Sequence, residues 1–320
     1  ILDPEYPDPG SAGIVSATNR YLMSDDLGLV RTARFSAGVQ QTLTSRIRGG
    51  ATYAYSRGTG VLRSVNVNAP IDGVRPDPRF ANVFELVGDA ASKMHQLSTN
   101  FNVSFTPTAS GPSRGVPKRF DWRRGSFNLN YTLQKQRNNS DGAFSIPFSG
   151  NPDGEWGPSN NDIRHRMNFG INSQALRNLN LFFNGNYSSA PPYTIRTGKD
   201  DNGDLVFNDR PFGVGRNTER GLHQINLNAN ASYTFSFGKQ KVAPPPGIRI
   251  EGGPAGIVSV NTVQSAQQPR YRISFNVGVQ NVLNRVNRTG FNGTMTSPFF
   301  RQPTSVGAPR RVEMGLGFSF

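Results

Sequence analysis

Residues 224–237 alternate without an error. Ile225, Leu227, Ala229, Ala231, Tyr233, Phe235 and Phe237 are apolar, and Gln224, Asn226, Asn228, Asn230, Ser232, Thr234 and Ser236 between them are polar. Successive side chains of a strand point to opposite faces. The segment therefore predicts a strand with one wholly apolar face and one face of amides and hydroxyls. A helix of this sequence would scatter both classes around its circumference.

The pattern recurs at about 33–43, 46–57, 96–105, 126–134, 164–174, 178–188, 270–280 and 311–320, which makes nine predicted strands. Each has about ten residues, enough for a tilted strand to cross a bilayer core. No long amphipathic helix competes with them, which argues against a βαβ arrangement. Two all-β readings remain. In a soluble sandwich the apolar face is the core; in a membrane barrel it meets lipid and the polar face lines the lumen.

The connections separate the two. Turns of two or three residues follow 33–43 and lie near 175–177. Long segments fill 58–94, 137–163, 189–222 and 285–309, and 107–125 is of middling length. Short turns on one rim and long loops on the other are a barrel signature. Segment 239–268 breaks the rule; its prolines 244–246 and Gly-rich 252–256 read as a flexible insertion. The expected fold is an all-β, antiparallel transmembrane β-barrel with long extracellular loops. Residues 1–32 are then an extracellular loop segment, and 33–320 carry the strands. An odd strand count is unusual for a bacterial barrel, so further strands are expected before Ile1.

Composition adds exclusions. The 320 residues include no cysteine, so disulfides, thiolate metal sites and cysteine nucleophiles are absent. No apolar run reaches the length of a membrane-spanning helix. The net charge of +14 raises nucleic-acid binding. The strand aromatics fall on the opposite face from the strand arginines, which argues against that partner.

Longer motifs carry a family resemblance. They are Glu155 to Ser159 (EWGPS), Asp162 to Arg166 (DIRHR), Pro192 to Gly198 (PYTIRTG), Asp200 to Asp204 (DDNGD), Val206 to Pro211 (VFNDRP) and Gly213 to Asn217 (GVGRN). Asn281 to Asn284 (NVLN), Ser297 to Pro303 (SPFFRQP) and Pro309 to Gly315 (PRRVEMG) follow in order. Together they resemble the C-terminal barrel half of TonB-dependent receptor-like proteins of the Oar type, common in acidobacteria, over most of residues 30–320. The resemblance implies an outer-membrane barrel of about 22 strands. It also implies an N-terminal plug and a TonB-binding segment, neither present here, and energised uptake of a bulky solute rather than enzymatic activity. A surface adhesive or structural barrel and a passive porin are the alternatives. Val312, Met314, Leu316, Phe318 and the terminal Phe320 resemble the C-terminal strand signal read by the barrel-assembly machinery.

Candidate sites are few. Asp200, Asn202 and Asp204 form a DxNxD pattern with Asp209 beyond it. Alternate oxygens on a tight loop suit Ca²⁺, although Pro211 stands where an EF-hand has its glutamate. A plain polar turn is the competing reading. By parity Arg164, Arg166, Arg270 and Arg272 face the lumen, to steer an anionic solute or to pair with plug acids. In the family setting Arg301, Arg310 and Arg311 are expected to meet lipopolysaccharide phosphates. His95, His165 and His223 form no metal spacing; His165 beside Asp162 lacks a nucleophile. Tyr131, Tyr187, Tyr233, Tyr271 and Trp122 fit an interfacial aromatic belt.

Overall fold

A computed structural model describes residues 18–105, 120–148, 153–238, 247–252, 258–263 and 270–320. The strands are β1 (Arg20–Met23), β2 (Arg31–Thr44), β3 (Ile47–Asn66), β4 (Val83–Ser104), β5 (Gly125–Asn138), β6 (Gly157–Pro158), β7 (His165–Leu176), β8 (Leu179–Ser188) and β9 (Pro192–Tyr193). They continue with β10 (Glu219–Arg220), β11 (Gln224–Phe237), β12 (Gly247–Gly252), β13 (Val258–Val263), β14 (Tyr271–Gln280), β15 (Arg288–Phe291), β16 (Pro303–Val306) and β17 (Arg311–Ser319).

The main sheet runs β17-β14-β11-β8-β7-β5-β4-β3-β2, each strand antiparallel to its neighbour in sequence order of the long strands. β1 adds to β4 in parallel and β6 adds to β5. β9/β10, β12/β13 and β15/β16 form three small ribbons. The nine predicted strands are the nine strands of this meander. Among the described residues the path is open: β2 and β17 are its edges. No helix among the described residues is long and apolar enough to cross a membrane, which says nothing of strands.

The register keeps the two chemistries apart. Val279, Val277, Phe275 and Ile273 of β14 face Ala229, Ala231, Tyr233 and Phe235 of β11, and Val312, Met314, Leu316 and Phe318 of β17 on the other side. Leu97, Leu133 and His165 align across β4, β5 and β7, with Phe101, Leu129 and Phe169 below them. Gly185 of β8 stands opposite Phe169, and a Cβ there would lie 2.3 Å from the Phe169 ring. The missing side chain lets that ring lie across the next strand.

This apolar face is open to its surroundings. Leu97, Ile171, Phe275 and Leu316 are 38, 38, 44 and 77 % exposed. In a sandwich a second sheet would cover them; among the described residues none does. A contiguous apolar face of this extent belongs against a membrane. The sandwich reading falls here.

Aromatic girdles bound the face. At the long-loop end the Tyr53 hydroxyl is 2.7 Å from His95 Nδ1, and the Tyr131 hydroxyl is 2.8 Å from His165 Nδ1. Tyr187 lies 5.7 Å from His223 between ring centroids. At the short-turn end the rings of Phe235, Phe237, Tyr271, Phe318 and Phe320 follow one another at 5.3 to 6.1 Å. Phe105 and Trp122 make an edge contact between β4 and β5. On β11, Ile225 beside Tyr187 and Phe235 are ten residues apart. That is about 33 Å along the strand and about 25 Å in height at a barrel tilt near 40°, the thickness of an outer-membrane apolar band.

Two connections differ from the expectation. Segment 58–94, read as a loop, is mostly strand: β3 runs on to Asn66 and β4 begins at Val83. Register shifts lie on either side of Val61, and Val83, Phe84, Ala90, Arg63 and Asn66 are buried. With both faces covered and bulges present, no clean alternation is required. In 239–268 the described part is the β12/β13 ribbon; the proline run 244–246 lies outside the described residues.

Candidate functional site

The polar face of the meander is an amide lattice. Asn100, Asn130, Asn168, Asn186 and Asn226 stand opposite one another in a single row across β4, β5, β7, β8 and β11. The next row reads Asn102, Asn128, Gly170, Asn184 and Asn228. Asn226 Nδ2 donates to Asn186 Oδ1 at 3.3 Å, and Asn287 Nδ2 donates to Asn226 Oδ1 at 2.8 Å. Each amide both donates and accepts. The rows therefore offer hydrogen bonds without formal charge.

Above this face the loops 139–164 and 189–223 are clasped by buried ions. Glu155 lies 2.7 Å from Arg210 and 3.6 Å from Arg216, and Arg216 lies 2.6 Å from Asp141. Burial lowers the Arg210 pKa from the usual guanidinium value, and Glu155 opposes the shift. The Arg210 guanidinium also sits 4.8 Å from the Phe148 ring centroid. A pocket of about 400 Å³ opens beside the clasp, lined by Glu155, Arg196, Arg210, Tyr193 and Phe291 among others. Tyr193 and Phe291 stack at 6.0 Å. Burial, then the charge of Glu219, raises the Tyr193 pKa. The pocket can hydrogen-bond a polar group and stack a flat one.

A second clasp centres on Asp162, 1 % exposed. Its Oδ1 accepts the Gln136 N–H at 2.6 Å, and its Oδ2 pairs with Arg220 and, at 3.4 Å, with Arg164. Asp162 is thus engaged by arginines, and His165 by Tyr131.

The acidic loop turns on its own backbone. Asp200 accepts the Asp204 and Leu205 N–H groups, Asn202 accepts Asp204 N–H, and Asp204 Oδ1 accepts Val206 N–H. Asp209 Oδ2 accepts Asp201 N–H at 2.7 Å. Asp204 and Asp209 are each 1 % exposed, and Asp204 Oδ2 and Asp209 Oδ1 have no donor among the described residues. Burial, then the charges of Asp204 and Asp200, pushes the Asp209 carboxyl up, against the hydrogen bond from Asp201. Among the described residues no three His, Cys, Asp or Glu side chains form a group able to hold a metal ion. A cation here would rest on two carboxylates with amide and carbonyl oxygens.

Of the four strand arginines, Arg166 stands opposite Thr132 and Ser188, and Arg272 opposite Ser236 and Ser319, all on the polar face. Arg164 precedes β7 and reaches Asp162. Arg270 precedes β14, with its guanidinium 5.1 Å from the Tyr271 ring centroid. The Glu155 clasp is not foreseeable from spacing: its partners lie 55 and 61 residues away. Its only trace in the sequence is that all three residues stand in the motifs that carry the family resemblance.

No protein-family model matches the chain, and no curated protein matches its sequence. Among solved structures, the outer membrane transporter YddB from Escherichia coli is similar with a TM-score of 0.56 at 12% identity, over 94% of this chain and 34% of that one. The FrpB iron transporter from Neisseria meningitidis is similar at a TM-score of 0.48 and 11% identity, over 92% and 32%; that likeness is too slight to argue from. The chain spans about a third of the length of these transporters. At such identity the likeness to YddB speaks for the fold, an antiparallel outer-membrane β-barrel meander.

Proposed function

We propose that this chain forms the C-terminal strands of an Oar-like, TonB-dependent outer-membrane transporter that takes up a bulky solute. One observation carries the reading. An exposed apolar strand face is bounded by two aromatic girdles about 25 Å apart, and its opposite face is an amide lattice. The open edges β2 and β17 support a larger barrel, since unpaired edges are otherwise a liability. The likeness to an outer membrane transporter supports the same place in the cell. In this reading the barrel-assembly machinery reads the strand ending in Phe320, the amide rows face a plug or solute, and TonB engages a segment outside this chain. The loop 200–209 is proposed to hold Ca²⁺ through Asp204 and Asp209, whose two free oxygens have no donor among the described residues.

Fractionation of cells making the whole protein tests this reading. It is expected in the outer membrane as a heat-modifiable band, and pulled down by the periplasmic domain of TonB. Recovery in the soluble fraction overturns the barrel. Outer-membrane recovery without TonB capture leaves a barrel and overturns energised uptake.

A further inference from the structure

A second pocket, of about 450 Å³, lies on the polar face at the long-loop end. Gln224, the first residue of β11, and Gln280, the last of β14, line it together with Asn186 and Asn228 of the amide rows. The loop after β14 supplies the facing wall. Its buried Asn287 accepts the Ile225 N–H at 3.0 Å and donates to the Ile225 carbonyl at 2.9 Å. Its buried Asn281 donates to the Arg285 and Ala308 carbonyls at 2.9 and 3.1 Å. These bonds fix the wall against the strand ends, so the pocket is preformed.

The groups this pocket offers are carboxamides. The side chains of Gln224 and Gln280 have no hydrogen-bond partner among the described residues. Asn228 Oδ1 accepts the Asn281 N–H at 3.0 Å and Asn186 Oδ1 accepts from Asn226, which leaves the Nδ2 groups of Asn228 and Asn186 to a ligand. Among the described residues no charged side chain lines the pocket. The arginines of the neighbouring loop turn elsewhere: Arg285 to His223 of the outer girdle, Arg310 to the Val282 carbonyl and Arg311 to Glu313. Arg166 shares a row with Ser188 and Gln224 but stands two strands from Gln224, about 10 Å away.

We infer that this pocket, with the amide rows leading from it, binds an uncharged polyhydroxylated solute, a neutral oligosaccharide, through Gln224, Gln280, Asn186 and Asn228. This rests on the uptake reading and names the class of its solute. A carboxamide and a hydroxyl each donate and accept, so two neighbouring ring hydroxyls satisfy both ends of one amide. A charged solute would shed water here without meeting an opposite charge, which is costly. From Asn226 to Asn100 the amide row crosses four strand spacings, about 19 Å, room for a chain of rings rather than a single one. The pocket stands at the long-loop end, where a solute from outside arrives first.

The whole protein in detergent micelles is titrated with neutral hexasaccharides of glucose, xylose, mannose and galactose, and with hexagalacturonate as the charged counterpart. Binding of at least one neutral chain is expected, with hexagalacturonate at least about tenfold weaker. Gln224→Leu and Gln280→Leu are expected to weaken that binding about fivefold each, about twenty-five-fold together. Arg166→Gln is expected to leave it unchanged. No neutral chain bound, a preference for hexagalacturonate, or unchanged affinity in the double variant overturns the inference. Gln224→Cys as the sole cysteine, exposed on intact cells to a membrane-impermeant maleimide, is expected to react, and to react more slowly with the bound sugar present. No reaction would mean that a plug covers the residue, which also overturns the site. A heat-modifiable outer-membrane band shows each variant to be folded. Capture by TonB without sugar binding counts against this inference alone, whereas sugar binding without TonB capture keeps the site and overturns energised uptake.

Discussion

Glu155 and Arg210, 55 residues apart in the chain, meet at 2.7 Å with both side chains buried. The pair joins the loop after β5 to the loop after β8, and Arg216 joins from the same side. Glu155→Gln leaves the buried Arg210 guanidinium without its carboxylate, while Arg216 keeps Asp141. Removing one partner of a buried pair costs about 3–5 kcal/mol, here against loop closure rather than against the sheet. Limited proteolysis is expected to cut 139–164 and 189–223 faster in the variant, with the strand circular dichroism unchanged. An unaltered cutting pattern would show that the clasp does not hold the loops.

The face assignment is tested at two adjacent residues of β5. Leu129 points to the apolar face between Phe101 and Phe169, and Asn130 points to the amide row between Asn100 and Asn168. Leu129→Arg places a charge near the middle of the apolar band and is expected to cost about 2–4 kcal/mol in lipid vesicles. Asn130→Arg is expected to change stability little. Urea unfolding of the two variants reads the difference; equal costs would mean that neither face meets lipid.

The strands were legible because one face meets an apolar surrounding and the other a polar one, which imposes a period of two from β2 to β17. Legibility failed where that condition failed. Past Arg57 the β3/β4 hairpin is covered on both sides and bulged, so Arg63, Ser64 and Asn66 are buried without alternation. Gln224 and Gln280 read as the ordinary polar ends of two strands; only the folded loop after β14 shows that they line one pocket. The clasps at Glu155 and Asp162 join residues 55 and 58 apart in loops without a period. The acidic loop was visible as DxNxD, yet its side chains turn mainly to their own backbone.

Calcium is expected to bind the 200–209 loop weakly. Two free carboxylate oxygens and a partly neutral set of remaining donors suit the range of extracellular modules, about 10⁻⁴–10⁻³ M. Calorimetry on the whole protein is expected to show one such site, lost in Asp204→Asn and kept in Asp201→Asn. No heat with Ca²⁺ in the unaltered protein would leave the loop as a turn stabilised by its own hydrogen bonds.

The terminal strand offers the last test. Phe318 lies opposite Ile273 of β14, its ring stacking on Tyr271 and Phe320 at 6.1 Å each. β17 pairs on one side only and its residues are largely exposed, so within this chain these rings add little to stability. If they serve recognition by the assembly machinery, the effect of removing them appears in rate rather than in equilibrium stability. Phe318→Ala with Phe320→Ala is expected to slow the appearance of the heat-modifiable band in cells, while the assembled variant unfolds in urea within about 1 kcal/mol of the unaltered protein. Met314→Ala, on the same face but away from the aromatic ladder, is expected to assemble at the normal rate. A large loss of urea stability with normal assembly would assign the aromatic ladder to barrel closure instead.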